Sequence, residues 1–234
     1  MTCWDTFTNV LNAGVDRVIL YGPPGTGKTY SALNEVLPGQ RSFRLTCTDD
    51  MTNADVTGAF MPSADGGFQF IEGAAVKAWR AGGRLVIDEI DKAGGDVFAT
   101  LLNMTDSSGS SVWEHPVTGE RLSPANGFTV VMTTNVETIG ELPEALIDRF
   151  PMRLRINQPH PGGLATLPYH WRGYAARMAD AAPGQRMSLR AFQSLSKLAQ
   201  TMGEEAAAEL ILGNRAAAFL EAIRIDRLEL GAER

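Results

Sequence analysis

Eight consecutive residues, Gly22-Pro23-Pro24-Gly25-Thr26-Gly27-Lys28-Thr29, fit the pattern G-x-x-x-x-G-K-[ST]. Glycines in such a loop let backbone N–H groups close around phosphate oxygens with no Cβ in the way. The helix N-terminus that the loop opens adds a field favouring anions. Lys28 can reach the β- and γ-phosphates as a point charge, and Thr29 offers a hydroxyl to Mg²⁺. Tyr30, the next residue, completes the candidate nucleotide-binding stretch. Farther on, Leu85-Val86-Ile87-Asp88-Glu89 is an apolar run ending in two carboxylates. Asp88 is placed to hold Mg²⁺ through water, and Glu89 to polarise an attacking water. The plain alternative is a strand ending in a solvated acidic turn. A third run, Val130-Val131-Met132-Thr133-Thr134-Asn135, ends in an amide that could donate to a γ-phosphate or orient the lytic water. Read alone, without the two earlier motifs, Asn135 is better taken as an Asn in a turn after a strand, which is common.

These groups need a scaffold that brings them to one edge. Strand candidates fall at 17–21, 41–46, 84–88, 128–134 and 152–156. Three of them carry continuous apolar runs, the pattern of strands covered on both faces in a parallel sheet. Helix candidates follow at 28–37, 72–81, 95–105 and 143–148. Alternating strands and helices imply an α/β fold with right-handed crossovers, and ligands of such sheets gather at the C-terminal strand edge. Residues 157–168 hold three prolines and two glycines and read as a linker. Residues 169–234 look wholly helical, with Ser188 able to cap a helix running to Thr201. The expected division is an α/β nucleotide-binding core over 1–160 and a small all-helical lid over 161–234.

The bulk numbers narrow the classes. At 44% hydrophobic and 21% charged, the chain has an ordinary globular balance. A net charge of −6 argues against a general nucleic-acid coat. Two cysteines, Cys3 and Cys47, give no disulfide framework. The start shows no signal peptide, and no apolar run approaches the length of a membrane span, so the expected setting is cytoplasmic. His115, His160 and His170 are not in zinc-ligand spacing. There is no G-x-S-x-G nucleophile elbow and no guanine-reading N-K-x-D.

In order and spacing, GPPGTGKT, LVIDEIDKA and VVMTTN resemble the AAA+ ATPases, and within them the MoxR-like branch of the dynein-related, chelatase-like type. Gly67-Phe68-Gln69-Phe70-Ile71-Glu72-Gly73 resembles the hairpin that this branch inserts into its second helix. Residues 113–128, with Val117-Thr118-Gly119, resemble the hairpin before the sensor strand. Leu142-Pro143-Glu144-Ala145-Leu146-Ile147-Asp148-Arg149-Phe150 resembles the segment ending in the arginine finger, and Ser188-Leu189-Arg190-Ala191 the second sensor of the lid. The resemblance implies a P-loop NTPase core with a five-stranded parallel sheet and a C-terminal helical lid. It implies Mg-dependent ATP hydrolysis in a ring of identical subunits, commonly a hexamer. It also implies remodelling of a client protein, often beside a von Willebrand A domain partner. Arg149 would reach a neighbour's nucleotide, and Arg190 the γ-phosphate of its own subunit. Arg149 could instead form a surface salt bridge with Asp148 or Glu144, Arg153 and Arg155 stand nearby, and Arg190 could be an ordinary helix arginine. Phe68 and Phe70 alternate in the expected hairpin and could contact a client, but read first as packing of the hairpin itself, and Trp113 reads as core. Two rival functions share this fold: a nucleic-acid motor or loader, and a non-hydrolysing ATP switch.

Overall fold

The structure, a computed structural model, describes residues 1–106 and 109–232. In chain order its elements begin with α1 (Cys3–Asn12), β1 (Arg17–Tyr21), α2 (Lys28–Asn34), β2 (Ser42–Thr46) and α3 (Asn53–Thr57). The hairpin strands β3 (Gly58–Pro62) and β4 (Phe68–Glu72) follow, then α4 (Ala74–Ala81), β5 (Arg84–Asp88) and α5 (Gly95–Met104). Next come β6 (Trp113–Glu114), β7 (Arg121–Leu122), β8 (Thr129–Thr133), α6 (Glu144–Arg149) and β9 (Met152–Arg155). The remaining helices are α7 (Pro161–Ala165), α8 (Arg172–Ala179), α9 (Leu189–Met202), α10 (Glu204–Leu212) and α11 (Ala216–Ala232).

Five strands form one sheet in the order β2-β5-β8-β1-β9, and every pairing is parallel. The three apolar runs are its central strands β5, β8 and β1. Their residues Leu85, Val86, Ile87, Val130, Val131, Met132, Val18, Ile19 and Leu20 are all buried, as continuous hydrophobicity requires of a strand covered on both faces. On the edge strand β2, Leu45 is buried between exposed Arg44 and Thr46.

Two buried arginines tie helix ends to the sheet, one of them the end of α2, the helix that carries Lys28 and Thr29. Arg84, at the start of β5, donates to the backbone carbonyls of Ala32 (3.4 Å) and Glu35 at the C-terminal end of α2. Arg17, at the start of β1, donates to Thr105 O (2.7 Å) and Asp106 O (2.8 Å) at the end of α5. Each guanidinium satisfies carbonyls that have no partner within their helix and meets the negative end of the helix dipole. Burial lowers the Arg84 pKa to about 10, so Arg84 stays charged near neutral pH. Replacing Arg84 with Met keeps the apolar bulk but strips those carbonyls of their donors. Arg84→Met is expected to cost about 1–3 kcal/mol. Urea unfolding should show a lower midpoint with an unchanged slope.

Three expectations change. The helix expected from residue 72 begins at Ala74, because Glu72 still pairs with Gly58 in the hairpin. Gly73 caps that helix where a side chain would lie 2.4 Å from Val56 O. The hairpin is therefore inserted between α3 and α4, two helices that remain packed together. The helix expected to reach residue 37 stops at Asn34, ahead of Pro38, which disfavours helical backbone at the residue before it. The expected linker over 157–168 contains α7, with Pro161 in its first turn and the His160 ring accepting from Gly162 N.

The chain divides into two compact units. One comprises Cys3–Gly22 and Lys28–Arg155; the other takes Pro23–Gly27 together with the chain from Ile156 onward. The second unit packs its helices around Trp171, Phe192, Phe219 and Ile223, with Trp171 edge-on to Phe219 at 5.3 Å. Ser188 caps α9, its hydroxyl accepting from Ala191 N at 3.3 Å.

Candidate active site

Parallel register sets the C-terminal ends of the central strands side by side: Leu20 lies opposite Thr133, Ile87 opposite Met132, and Thr46 opposite Asp88. The three motifs therefore converge at one sheet edge. Lys28 is buried at the start of α2, and its Nζ donates to Gly22 O (2.9 Å) and Asn135 Oδ1 (3.1 Å). Thr29 Oγ1 donates to Asp88 Oδ1 at 2.7 Å, and the Thr133 hydroxyl donates to the same oxygen. Arg44 Nη2 binds Asp88 Oδ2 at 2.5 Å. Asp88 is only 5% exposed, so it does not belong to a solvated acidic turn. Burial pushes its carboxyl up, but hydrogen bonds from Thr133, Thr29 and Arg44, with the Arg44 charge, outweigh burial and hold it below the ordinary carboxylate value.

Arg44 is the member of this cluster that sequence reading missed. A lone arginine in a half-exposed strand carries no motif. The available signal was parity: on β2, Arg44 and Thr46 lie on the face opposite the buried Leu45, and Thr46 is the register partner of Asp88.

Glu89 follows directly, with φ 58° and ψ 46°, and is the only non-glycine residue at positive φ among the described residues. A glutamate gains nothing intrinsic from the left-handed region, and such strain collects at functional sites. Its carboxylate pairs with Lys92 Nζ at 2.6 Å. Beneath the turn, Thr134 Oγ1 donates to Asp91 Oδ1 at 2.5 Å. Cys47 is fully buried and its amide donates to Asp88 O at 2.8 Å. Burial first, and then Asp88, Asp91 and Glu89, push its thiol up to about 12. At pH 8 an alkylating reagent should therefore label the partly exposed Cys3 and spare Cys47 in the folded protein. Peptide mapping after a timed reaction checks it; rapid labelling of Cys47 would contradict it.

The phosphate-loop residues adopt a conformation that requires glycine. Gly22, Gly25 and Gly27 have φ of 121°, 73° and 108°. A Cβ on Gly25 would meet Ser188 Cβ at 2.4 Å, and one on Gly27 would meet His160 Cβ at 2.8 Å. Leu189 N donates to Gly25 O (3.2 Å) and His160 N to Thr26 O (2.8 Å). Thr26 is buried, its hydroxyl on Pro23 O at 3.2 Å; Pro23 is buried, while Pro24 and Tyr30 are exposed. Arg190 is exposed in the first turn of α9, one residue beyond the Leu189 that contacts Gly25. The structure brings together Gly22, Lys28, Thr29, Asp88 and Asn135. Arg149 lies apart from them, at the end of α6. It donates to Ala145 O at 3.0 Å and pairs with Asp106 at 3.6 Å, in place of the alternatives Asp148 and Glu144.

Both hairpins form. Phe70 packs edge-on to Phe60 (5.4 Å) and stacks on Trp113 (6.2 Å), so the second hairpin braces the first. Phe68 is 74% exposed and does not share that packing role.

The donor set fits magnesium and a polyphosphate. Thr29, Thr133 and Asp88 supply hard oxygen atoms, Lys28 a buried ammonium, and the loop a run of glycine-permitted backbone turns. The family described as the AAA domain, dynein-related subfamily, matches residues 17–150. An uncharacterized protein of Staphylococcus saprophyticus is 34% identical over 142 residues, covering 57% of this chain and 53% of that protein. An uncharacterized protein of Staphylococcus aureus is 32% identical over 142 residues with the same coverage. The chain thus spans about half the length of the curated relatives it matches. A solved structure from Cytophaga hutchinsonii, described as a "putative ATPase", superposes with a TM-score of 0.51 at 18% identity. That match covers 81% of this chain and 55% of the other, and shows a shared fold.

Proposed function

This chain belongs to the AAA domain family, dynein-related subfamily, an ATPase family, and on that premise we propose that it binds MgATP and hydrolyses it to ADP and phosphate. The observation that carries the reading is the convergence at one sheet edge of Lys28 on Asn135 (3.1 Å) and Thr29 on Asp88 (2.7 Å). Lys28 neutralises β- and γ-phosphate charge and, through Asn135, is tied to the end of β8. Thr29 and Asp88 are the residues that would hold the metal. Bound Mg²⁺ supplies charge neutralisation of the phosphates. Glu89 accepts the proton of the attacking water as that water closes on the γ-phosphorus. Arg44 keeps Asp88 oriented and ionised.

The finer reading is MoxR-like. Identical subunits assemble into a ring of six, with Arg149 of each completing a neighbour's site. The ring remodels a client protein in the cytoplasm, beside a von Willebrand A domain partner, and residues 161–234 act as the lid that carries Arg190. The inserted hairpin supports this reading, since it presents Phe68 outward on a braced support. Among the described residues no helix is long and apolar enough to cross a membrane.

Phosphate release from ATP, followed across protein concentrations with Mg²⁺ and again with a chelator, tests the proposal. Metal-dependent turnover is expected, rising per subunit as the protein assembles. Absence of turnover at every concentration, despite nucleotide binding, would favour the non-hydrolysing switch.

A further inference from the structure

Glu89 sits at a strained turn, and something beyond local preference must hold it there. The turn is short: Lys92 N donates to Glu89 O (2.9 Å) and Ala93 N to Ile90 O (3.1 Å). Ile90 anchors it in the core. One side-chain bond joins it to the neighbouring strand end, from Thr134 Oγ1 to Asp91 Oδ1 at 2.5 Å. Thr134 is 1% exposed and stands where several parts of the site meet. Its backbone N donates to Leu20 O at 3.0 Å, on the strand that leads into the phosphate loop. Its hydroxyl also accepts from Val136 N at 3.3 Å. The next residue, Asn135, accepts from Lys28.

We propose that Thr134 and Asp91 are positioning residues, a clamp that fixes the Glu89 turn in register with Asn135 and Lys28. The proposal rests on the hydrolysis reading above and adds the means by which the base is held relative to the phosphate-binding lysine. Neither side chain need touch the reacting atoms. The Thr134 hydroxyl donates a hydrogen bond to Asp91, which draws the 3₁₀ turn toward the end of β8 and sets where the Glu89 backbone leaves β5. A displacement of about 1 Å in a positioned base can cost on the order of 10²-fold in rate.

The test compares kcat with nucleotide affinity, the latter measured by a fluorescent ADP analogue. Thr134→Val removes the donor at nearly constant shape, and Asp91→Ala removes the acceptor from an exposed position, where folding is least at risk. Each should lower kcat by about tenfold or more and leave the dissociation constant within about twofold. Thr134→Ser should restore the rate. The double variant should be no slower than either single one, since both break the same bond. On a Glu89→Gln background Thr134→Val should cost nothing further, whereas a general loss of structure would cost again. Wild-type kcat in both single variants, additive losses, or a loss of affinity matching the loss of rate would overturn the clamp. A wild-type protein that binds nucleotide without turnover removes the hydrolysis reading and this proposal together, whereas an active wild type with an unaffected Thr134→Val variant removes this proposal alone.

Discussion

Glu89→Gln is expected to leave nucleotide affinity within about twofold of wild type and to lower turnover by about 10²–10⁴-fold, the usual contribution of a positioned general base. The substitution is nearly isosteric and leaves the backbone turn in place. The groups that hold nucleotide and metal in the proposed mechanism are Lys28, Thr29 and Asp88, and Glu89 bonds none of them in the structure. Among the described residues its one side-chain ion pair is with Lys92, on an accessible surface, and such pairs are worth about 1 kcal/mol or less. Folding should therefore change little. The amide keeps a donor and an acceptor but has no carboxylate to take the water's proton, so the deficit should fall on kcat. Parallel measurements of phosphate release and nucleotide binding decide the matter. If the glutamine variant turns over ATP at the wild-type rate, Glu89 is not the base, and its left-handed backbone needs another explanation.

How much of this could be read from residues alone depends on whether a feature is local in the chain or made between strands. The central strands were legible because a strand covered on both faces is apolar at every position, as at Val18-Ile19-Leu20 and Leu85-Val86-Ile87. The phosphate loop was legible because its backbone turns admit only glycine at fixed offsets. Helix α1 was overlooked, although Trp4, Phe7, Val10 and Leu11 recur at helical spacing and are buried. What was not legible is contact across strands. Arg44 reaches Asp88, Thr134 reaches Asp91, and Arg149 reaches Asp106 only after pairing has set the register, because local sequence does not say which strand lies beside which. Residues 157–168 misled for the opposite reason. Prolines and glycines that punctuate a loop can equally start a short helix, as Pro161 does in the first turn of α7, directly after the capping residue His160.

Arg149→Ala should assemble as wild type does, retain nucleotide, and lose about 10³–10⁵-fold in turnover, the range that an arginine supplied to a neighbour's phosphoryl site contributes. The side chain ends α6, and its ties are to Ala145 O and Asp106, not to Lys28, Asp88, Glu89 or Asn135. Its Nε is buried without a hydrogen-bond partner, while the side chain as a whole keeps 32% exposure. A guanidinium held loosely on one carboxylate keeps donors for an incoming phosphate, and the fork geometry suits that role better than a lysine would. Its removal should cost little stability, because the pair with Asp106 is long and partly solvated. The decisive measurement mixes two inactive proteins. In a mixed assembly, a subunit carrying Arg149→Ala keeps its own Lys28, Asp88 and Glu89, and a neighbour carrying Glu89→Gln still presents Arg149. The site formed between them is complete, so turnover should return on mixing and pass through a maximum near equal proportions. Recovery has no source if Arg149 serves its own subunit's nucleotide, because every site would then lack either the base or the arginine. A mixture that co-assembles and stays inactive would therefore place Arg149 in its own subunit's site and remove the reason for turnover to depend on assembly.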